Sequence, residues 1–254
     1  MSYHALDLNQ LPSPCFVVST DKLRENLAIL QAVGDASGAK ILLALKAFSM
    51  FSVASLVDEY LSGTCASGPY EARLGREQFS GEVHTFSAAY SEADIREVLL
   101  YSDHVVFNSL HQWLRFRSLC LEAQAKRPHL KFGLRVNPEH SEGATAIYDP
   151  CAPYSRLGIP LADFNSHTAD DLAGISGLHF HTLCEQDFLP LSRTLDVIEE
   201  KFGHLLKKME WVNFGGGHHI TRADYQREKL IKRIKAFRKK YQVEVIIEPG
   251  EAID

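Results

Sequence analysis

Short apolar runs alternate with amphipathic segments along nearly the whole chain. The runs are ILLALK from Ile41, GTCAS from Gly63, VHTFS from Val83, HVVFN from His104, LKFGLRVN from Leu130, ISGLHFH from Ile175, WVNFGGG from Trp211 and VEVIIEPG from Val243. Continuous apolar runs of this kind read as strands buried on both faces of a parallel sheet. CFVVS, from Cys15, reads as a further opening strand, followed by a helix from Asp21. Between the runs, apolar residues recur at helical spacing over 51–61, 70–78, 91–100, 110–124, 188–206 and 225–241. An insert over 138–173 holds little regular pattern until about Leu161.

Strands that alternate with helices build a parallel sheet, either a closed barrel or an open doubly wound layer. The open dinucleotide-binding layer carries G-x-G-x-x-G after its first strand, and no such fingerprint is present. Eight runs match a closed barrel, and 254 residues is the length such a barrel needs. The predicted fold is therefore α/β, a (β/α)8 TIM barrel over residues 15–254, preceded by an N-terminal segment over 1–14.

Composition narrows the function. The 45% apolar and 23% charged residues are those of a soluble globular protein, and a net charge of -5 disfavours nucleic acid as a partner. The basic stretch REKLIKRIKAFRKKY is no exception: Leu230, Ile231, Ile234 and Phe237 repeat at helical spacing, so its charges form one solvated face. Five cysteines, an odd number with no C-x-x-C pair, suit a reducing cytoplasm and argue against disulfides or a zinc knuckle. No signal pattern opens the chain and no run approaches the roughly 20 apolar residues of a membrane span. The expectation is a soluble, cytoplasmic protein with no membrane partner.

In a β/α barrel the acting side chains stand at the C-terminal strand ends. Those ends offer Lys46, Cys65 to Ser67, Ser87, Asn108, Arg135 with Asn137, His179 and His181, Gly215 to Gly217, then Glu248, Gly250 and Glu251. Each has a plain reading. A strand can end on a lysine that reaches water, a histidine can be a hydrogen-bonded core residue, GGG can be a turn needing positive φ, and EPG can be a turn whose acid faces solvent. Together they also meet the needs of pyridoxal 5'-phosphate. A lysine can form a Schiff base with its aldehyde. Bare glycine amides can approach its phosphate. A carboxylate can keep its pyridine nitrogen protonated, and a flat imidazole can cover one ring face.

These residues, with the motifs ALKAF, GTCASGPYEARLG, HTFSAAYSEADI, LRVNPE, SRLGI, GLHFHTLCEQ, VNFGGGHHITRADY and EPGEA, resemble the alanine racemase-like, fold-type III pyridoxal-phosphate decarboxylases. Within them they are most similar to the subgroup that acts on carboxynorspermidine and carboxyspermidine. The likeness runs from about Leu42 to the chain end. It implies a carboxy-lyase of polyamine biosynthesis, with Lys46 as the Schiff-base lysine and His181 stacked on the cofactor ring. It further implies that Gly215, Gly216, Gly217 and Gly250 hold the cofactor, that Glu248 pairs with the pyridine nitrogen, and that Arg135 supports the substrate site. No metal is implied. Full-length relatives carry a further C-terminal β-domain, a homodimer interface that lends a cysteine and an acid, and a tyrosine near the phosphate. The resemblance thus implies a homodimer when full length. It implies too that this chain, which lacks the β-domain against which segment 1–14 would pack, binds cofactor poorly and is inactive alone.

Three positions depart from the ornithine-type relatives. Cys184 replaces a serine near the phosphate, Thr64 replaces an acid, and Glu251 replaces an arginine that grips phosphate. The last exchange trades a cation for an anion able to pair with a substrate ammonium, which favours a carboxylated polyamine over diaminopimelate. Two other classes compete. One is a non-catalytic cofactor-binding or regulatory barrel of the same superfamily, which would need neither HFHTLCEQ nor Glu251. The other is a metal-dependent hydrolase using His179, His181, His218 and His219, which would want further ligands at other strand ends.

Overall fold

The computed structural model describes residues 7–143 and 145–253. Eight parallel strands close into one barrel in sequence order: β1 (Lys40–Ala44), β2 (Gly63–Ala66), β3 (Glu82–Phe86), β4 (His104–Phe107), β5 (Lys131–Arg135), β6 (Ile175–His179), β7 (Trp211–Asn213) and β8 (Glu244–Ile247). Closure comes from β1 against β8, with Lys40 opposite Ile246 and Ile41 opposite Ile247. The helices are α1 (Thr20–Ser37), α2 (Ala54–Asp58), α3 (Pro69–Gln78), α4 (Glu92–Tyr101), α5 (Leu110–Lys126), α6 (Leu161–Phe164), α7 (Phe188–Leu206) and α8 (Arg227–Tyr241). The barrel expectation is thereby met.

Local chemistry sets many boundaries. Ser19 caps α1 by accepting from the Lys22 amide, and Gly38 ends the helix at φ 72°. Ser91 and Asp94 close a reciprocal capping box at the start of α4. Leu27, Leu30, Ile95, Leu195, Phe202, Leu230 and Phe237 are completely buried between the helix ring and the strands. The basic face of α8 is partly paired: Arg233 and Lys240 meet Glu199 of α7 at 3.3 and 2.7 Å.

Aromatic rings fill the lower barrel. The Trp211 indole lies across β5 and β6, where a Cβ on Gly133 or Gly177 would come within 2.4 and 2.0 Å of it. His104 stacks on Trp211 at 4.8 Å and on His84 at 3.9 Å. With the floor occupied in this way, open space is left at the C-terminal end of the strands.

Three expectations differ. CFVVS is no strand: residues 15–19 pair with no neighbour, and Phe16 is 95% exposed. Its apolar run mimics a strand, but the barrel already closes through β1 and β8 and leaves it no edge. The helix expected over 51–61 shrinks to a 3-10 turn at Phe51–Val53 and the short α2. The strand before Lys46 ends at Ala44, so Lys46 sits in the following turn and is exposed. Of the segment 1–14, residues 1–6 lie outside the described residues. Leu8–Gln10 form a 3-10 turn.

Candidate active site

The strand ends converge on a cleft of about 260 Å3 lined by Lys46, Arg135, His181, Gly216, Gly217, Glu248, Gly250 and Glu251, with Cys184 and Tyr148 on its rim. An adjoining chamber of about 180 Å3 shares Lys46, Arg135, His181 and Glu248, and adds Cys65, Ser67, Phe86, Ser87 and His179. Residues at or just beyond the ends of β1, β5, β6, β7 and β8 thus meet in one place, although Lys46 and Glu251 lie 205 positions apart along a chain of 254.

Lys46 makes no ion pair or hydrogen bond among the described residues, so its amine is available to a ligand. Arg135, only 6% exposed, donates from Nη2 to the His181 carbonyl at 3.1 Å and lies over the Phe86 ring at 4.7 Å. It has no carboxylate partner among the described residues, and burial pulls its guanidinium down to about 10. His181 is half-buried. Desolvation first, then the nearby cations Lys46 and Arg135, hold its imidazole well below the usual range and therefore neutral. A neutral ring fits the Gly216 amide, which donates to its Nδ1 at 3.5 Å.

The glycine triplet is shaped by close approaches. Gly215 and Gly217 have φ of 73° and 81°. A Cβ on Gly216 would stand 2.4 Å from the Glu248 carbonyl and 3.4 Å from the His181 ring, in the space between those two residues. The three amides are not equivalent. Gly215 stands behind the wall and donates to Asn213 Oδ1 at 2.8 Å, Gly216 makes the long bond to His181, and Gly217 has no acceptor among the described residues. An anion at the loop therefore finds the Gly217 amide most readily.

Asn213, at the end of β7, is a site residue the motif reading missed. It is 1% exposed, and its Nδ2 donates to Glu248 Oε1 at 2.6 Å while its Oδ1 accepts from Gly215. The signal was available: a polar side chain closing an apolar run just before the glycines. Cys65 lies beside Glu248, and burial pushes its thiol well above the usual range. Thr64 faces the other way. A Cβ on Gly75 of α3 would stand 2.5 Å from its Oγ1, so an acid in its place would point between sheet and helix and not into the cleft.

Among the described residues neither histidine pair gathers a set of three ligand atoms. The rings of His179 and His181 are 6.5 Å apart and nearly perpendicular. Glu82, His84 and His104 do bring donor atoms within 4.8 Å of one another, but at the barrel floor, where Lys40 already sits 2.6 Å from Glu82.

An unpaired amine, a free loop amide, a buried cation and a carboxylate facing one cleft fit pyridoxal phosphate, with Lys46, Gly217 and Glu248 as the residues that would hold it. Among the described residues no helix is long and apolar enough to cross a membrane.

The barrel is similar to those of solved decarboxylases, in fold and, for one of them, in sequence. A diaminopimelate decarboxylase from Helicobacter pylori superposes over 96% of this chain with a TM-score of 0.74 at 17% identity, a likeness of fold alone. No family model matches the chain. The chain is 46% identical over 244 residues to the carboxynorspermidine/carboxyspermidine decarboxylase of Campylobacter jejuni. A carboxynorspermidine decarboxylase structure from Campylobacter jejuni, complexed with norspermidine, covers 96% of this chain with a TM-score of 0.85 at 44% identity. The carboxyaminopropylagmatine decarboxylase of Synechocystis is 39% identical over 247 residues. The chain spans 61% of the Campylobacter protein and 62% of the Synechocystis one.

Proposed function

We propose that the chain is the cofactor-binding barrel of a decarboxylase acting on carboxynorspermidine or carboxyspermidine. The observation that carries this reading is the exposed Lys46, free of any ion pair among the described residues, on the same cleft as Glu248, His181 and the glycine loop. Pyridoxal phosphate, when bound, supplies an aldehyde that takes the substrate amine and a ring that accepts the electrons left as carbon dioxide departs.

The chain's own residues have separable tasks. Lys46 would offer its amine to the aldehyde. Glu248, one of whose oxygens Asn213 fixes, would hold a proton on the pyridine nitrogen. His181, kept neutral, would cover the ring without adding charge. Gly217 would donate its amide to the phosphate, with Gly216 and Gly250 leaving room for it. The buried Arg135 draws the substrate's carboxylate toward the inner chamber. Glu251, exposed on the rim, pairs with a distal ammonium of the polyamine. The cleft works within a homodimer. The five free thiols support a cytoplasmic setting.

The test is carbon dioxide release from carboxynorspermidine by the full-length protein that carries this barrel. Lys46→Ala in it should abolish turnover and the visible absorbance of bound cofactor; retained turnover overturns the reading. Sedimentation of the full-length protein should give a dimer, and a monomer at assay concentration overturns that part.

A further inference from the structure

His179 is the most anomalous polar side chain of the site. It closes β6, is 2% exposed, and lines the inner chamber. Among the described residues neither ring nitrogen has a hydrogen-bond partner, although a buried donor or acceptor left unmade is costly. Its surroundings explain no such exposure to penalty by packing alone: Phe86 lies at 5.3 Å, tilted, and a phenylalanine or leucine would fill the same space without an orphaned nitrogen. The polar atom it approaches is Oε2 of Glu248, 3.8 Å from its Nε2. The other carboxylate oxygen already receives Asn213. Strand pairing sets this up, because His179 lies directly opposite Asn213 on neighbouring strands.

We propose that His179 is a positioning residue that donates its Nε2–H to Oε2 of Glu248, so that Asn213 and His179 grip the two oxygens of one carboxylate from adjacent strands. The role follows from the neighbours. A carboxylate in the same cleft as the Lys46 ammonium is drawn to it, and such a pair would hold the lysine protonated and occupied. Two donors on the far side keep Glu248 turned to the inner chamber and leave Lys46 free. Closing 3.8 Å to hydrogen-bond length needs a movement of about 1 Å, within reach of a small rotation of either side chain. A neutral imidazole is the right donor here: it adds a hydrogen bond without a second charge, and desolvation holds His179 neutral. The inference rests on the reading of Glu248 given above.

The experiment uses the full-length protein that carries this barrel, and three substitutions. His179→Leu removes the donor at similar volume. His179→Gln keeps an N–H where Nε2 stands. Glu248→Gln tests the underlying reading. The expected result for His179→Leu is a loss of at least tenfold in kcat with KM changed less than threefold, and weaker pyridoxal phosphate binding in an absorbance titration without substrate. His179→Gln should recover most of both. Nitrogen-15 spectra of the histidine-labelled wild type, recorded without turnover, should report the Nε2–H tautomer. Equal damage from Leu and Gln, a wild-type His179→Leu, or an Nδ1–H tautomer overturns the proposal while leaving the decarboxylase reading intact. Unimpaired Glu248→Gln overturns both. If His179→Leu fails to fold, the tautomer and the Gln variant still decide.

Discussion

Asn213→Ala isolates the link between the glycine loop and the cleft carboxylate. The side chain is 1% exposed and makes two hydrogen bonds, one from the Gly215 amide at 2.8 Å and one to Glu248 at 2.6 Å. Its orientation is fixed by chemistry, since the end facing an N–H must accept and the end facing a carboxylate must donate. Truncation leaves the buried Gly215 amide without an acceptor, a cost of about 1–3 kcal/mol, and removes a bond to a carboxylate, worth about 1.5–3 kcal/mol. Glu248 retains some access to water, with 12% of its side chain exposed, so the second loss falls at the lower end. The expected total is about 3 kcal/mol, roughly a hundredfold in the folding equilibrium. Urea unfolding followed by circular dichroism measures it as a lower midpoint at unchanged slope. Asn213→Asp sharpens the test: it keeps an acceptor for Gly215 but sets a second carboxylate against Glu248, so its deficit should shrink as pH falls toward 4, near the usual carboxylate range. A loss under about 0.5 kcal/mol for Asn213→Ala would refute the claim that this side chain couples loop and carboxylate.

Gly177→Ala should destabilise by several kcal/mol or prevent folding, because its Cβ would stand 2.0 Å from the Trp211 ring; an unchanged thermal midpoint would refute that close approach. Acid should weaken the fold through a buried histidine. Burial lowers His218 to about 4 despite its bond to the Gly215 carbonyl, so the unfolded chain binds the extra proton first. Its share of stability is present above about pH 6.5 and is lost as pH falls toward 4, up to about 3 kcal/mol at 1.36 kcal/mol per pH unit. His218→Gln should flatten that slope in urea titrations at several pH values, and an unaltered slope would exclude His218 as its source. Glu251→Gln in the full-length protein should raise KM for the polyamine about fivefold with kcat unchanged, as expected for one exposed ion pair of about 1 kcal/mol. An unchanged KM would remove Glu251 from the substrate site.

The chain pattern by itself determined the barrel. Eight apolar runs, each too short and too apolar for anything but a doubly covered strand, leave closure as the economical arrangement, and seven amphipathic segments supply the cover. Lys46, His181, Gly216, Gly217, Glu248 and Glu251 were legible because a barrel aims strand ends at one rim, so position in the run foretells position in space. Other features depended on contacts between distant strands, which no local pattern encodes. CFVVS has the composition of a strand and lacks only a free edge to join. Thr64 sits beside strand-end site residues yet faces α3, because alternation sends neighbouring side chains to opposite faces. Gly215 shares a motif with Gly216 and Gly217 but has its amide taken by Asn213. The pairing of β6, β7 and β8 alone brings His179, Asn213 and Glu248 together: hydrophobic periodicity records which residues are buried, whereas the partner of a buried polar atom is set by register across strands.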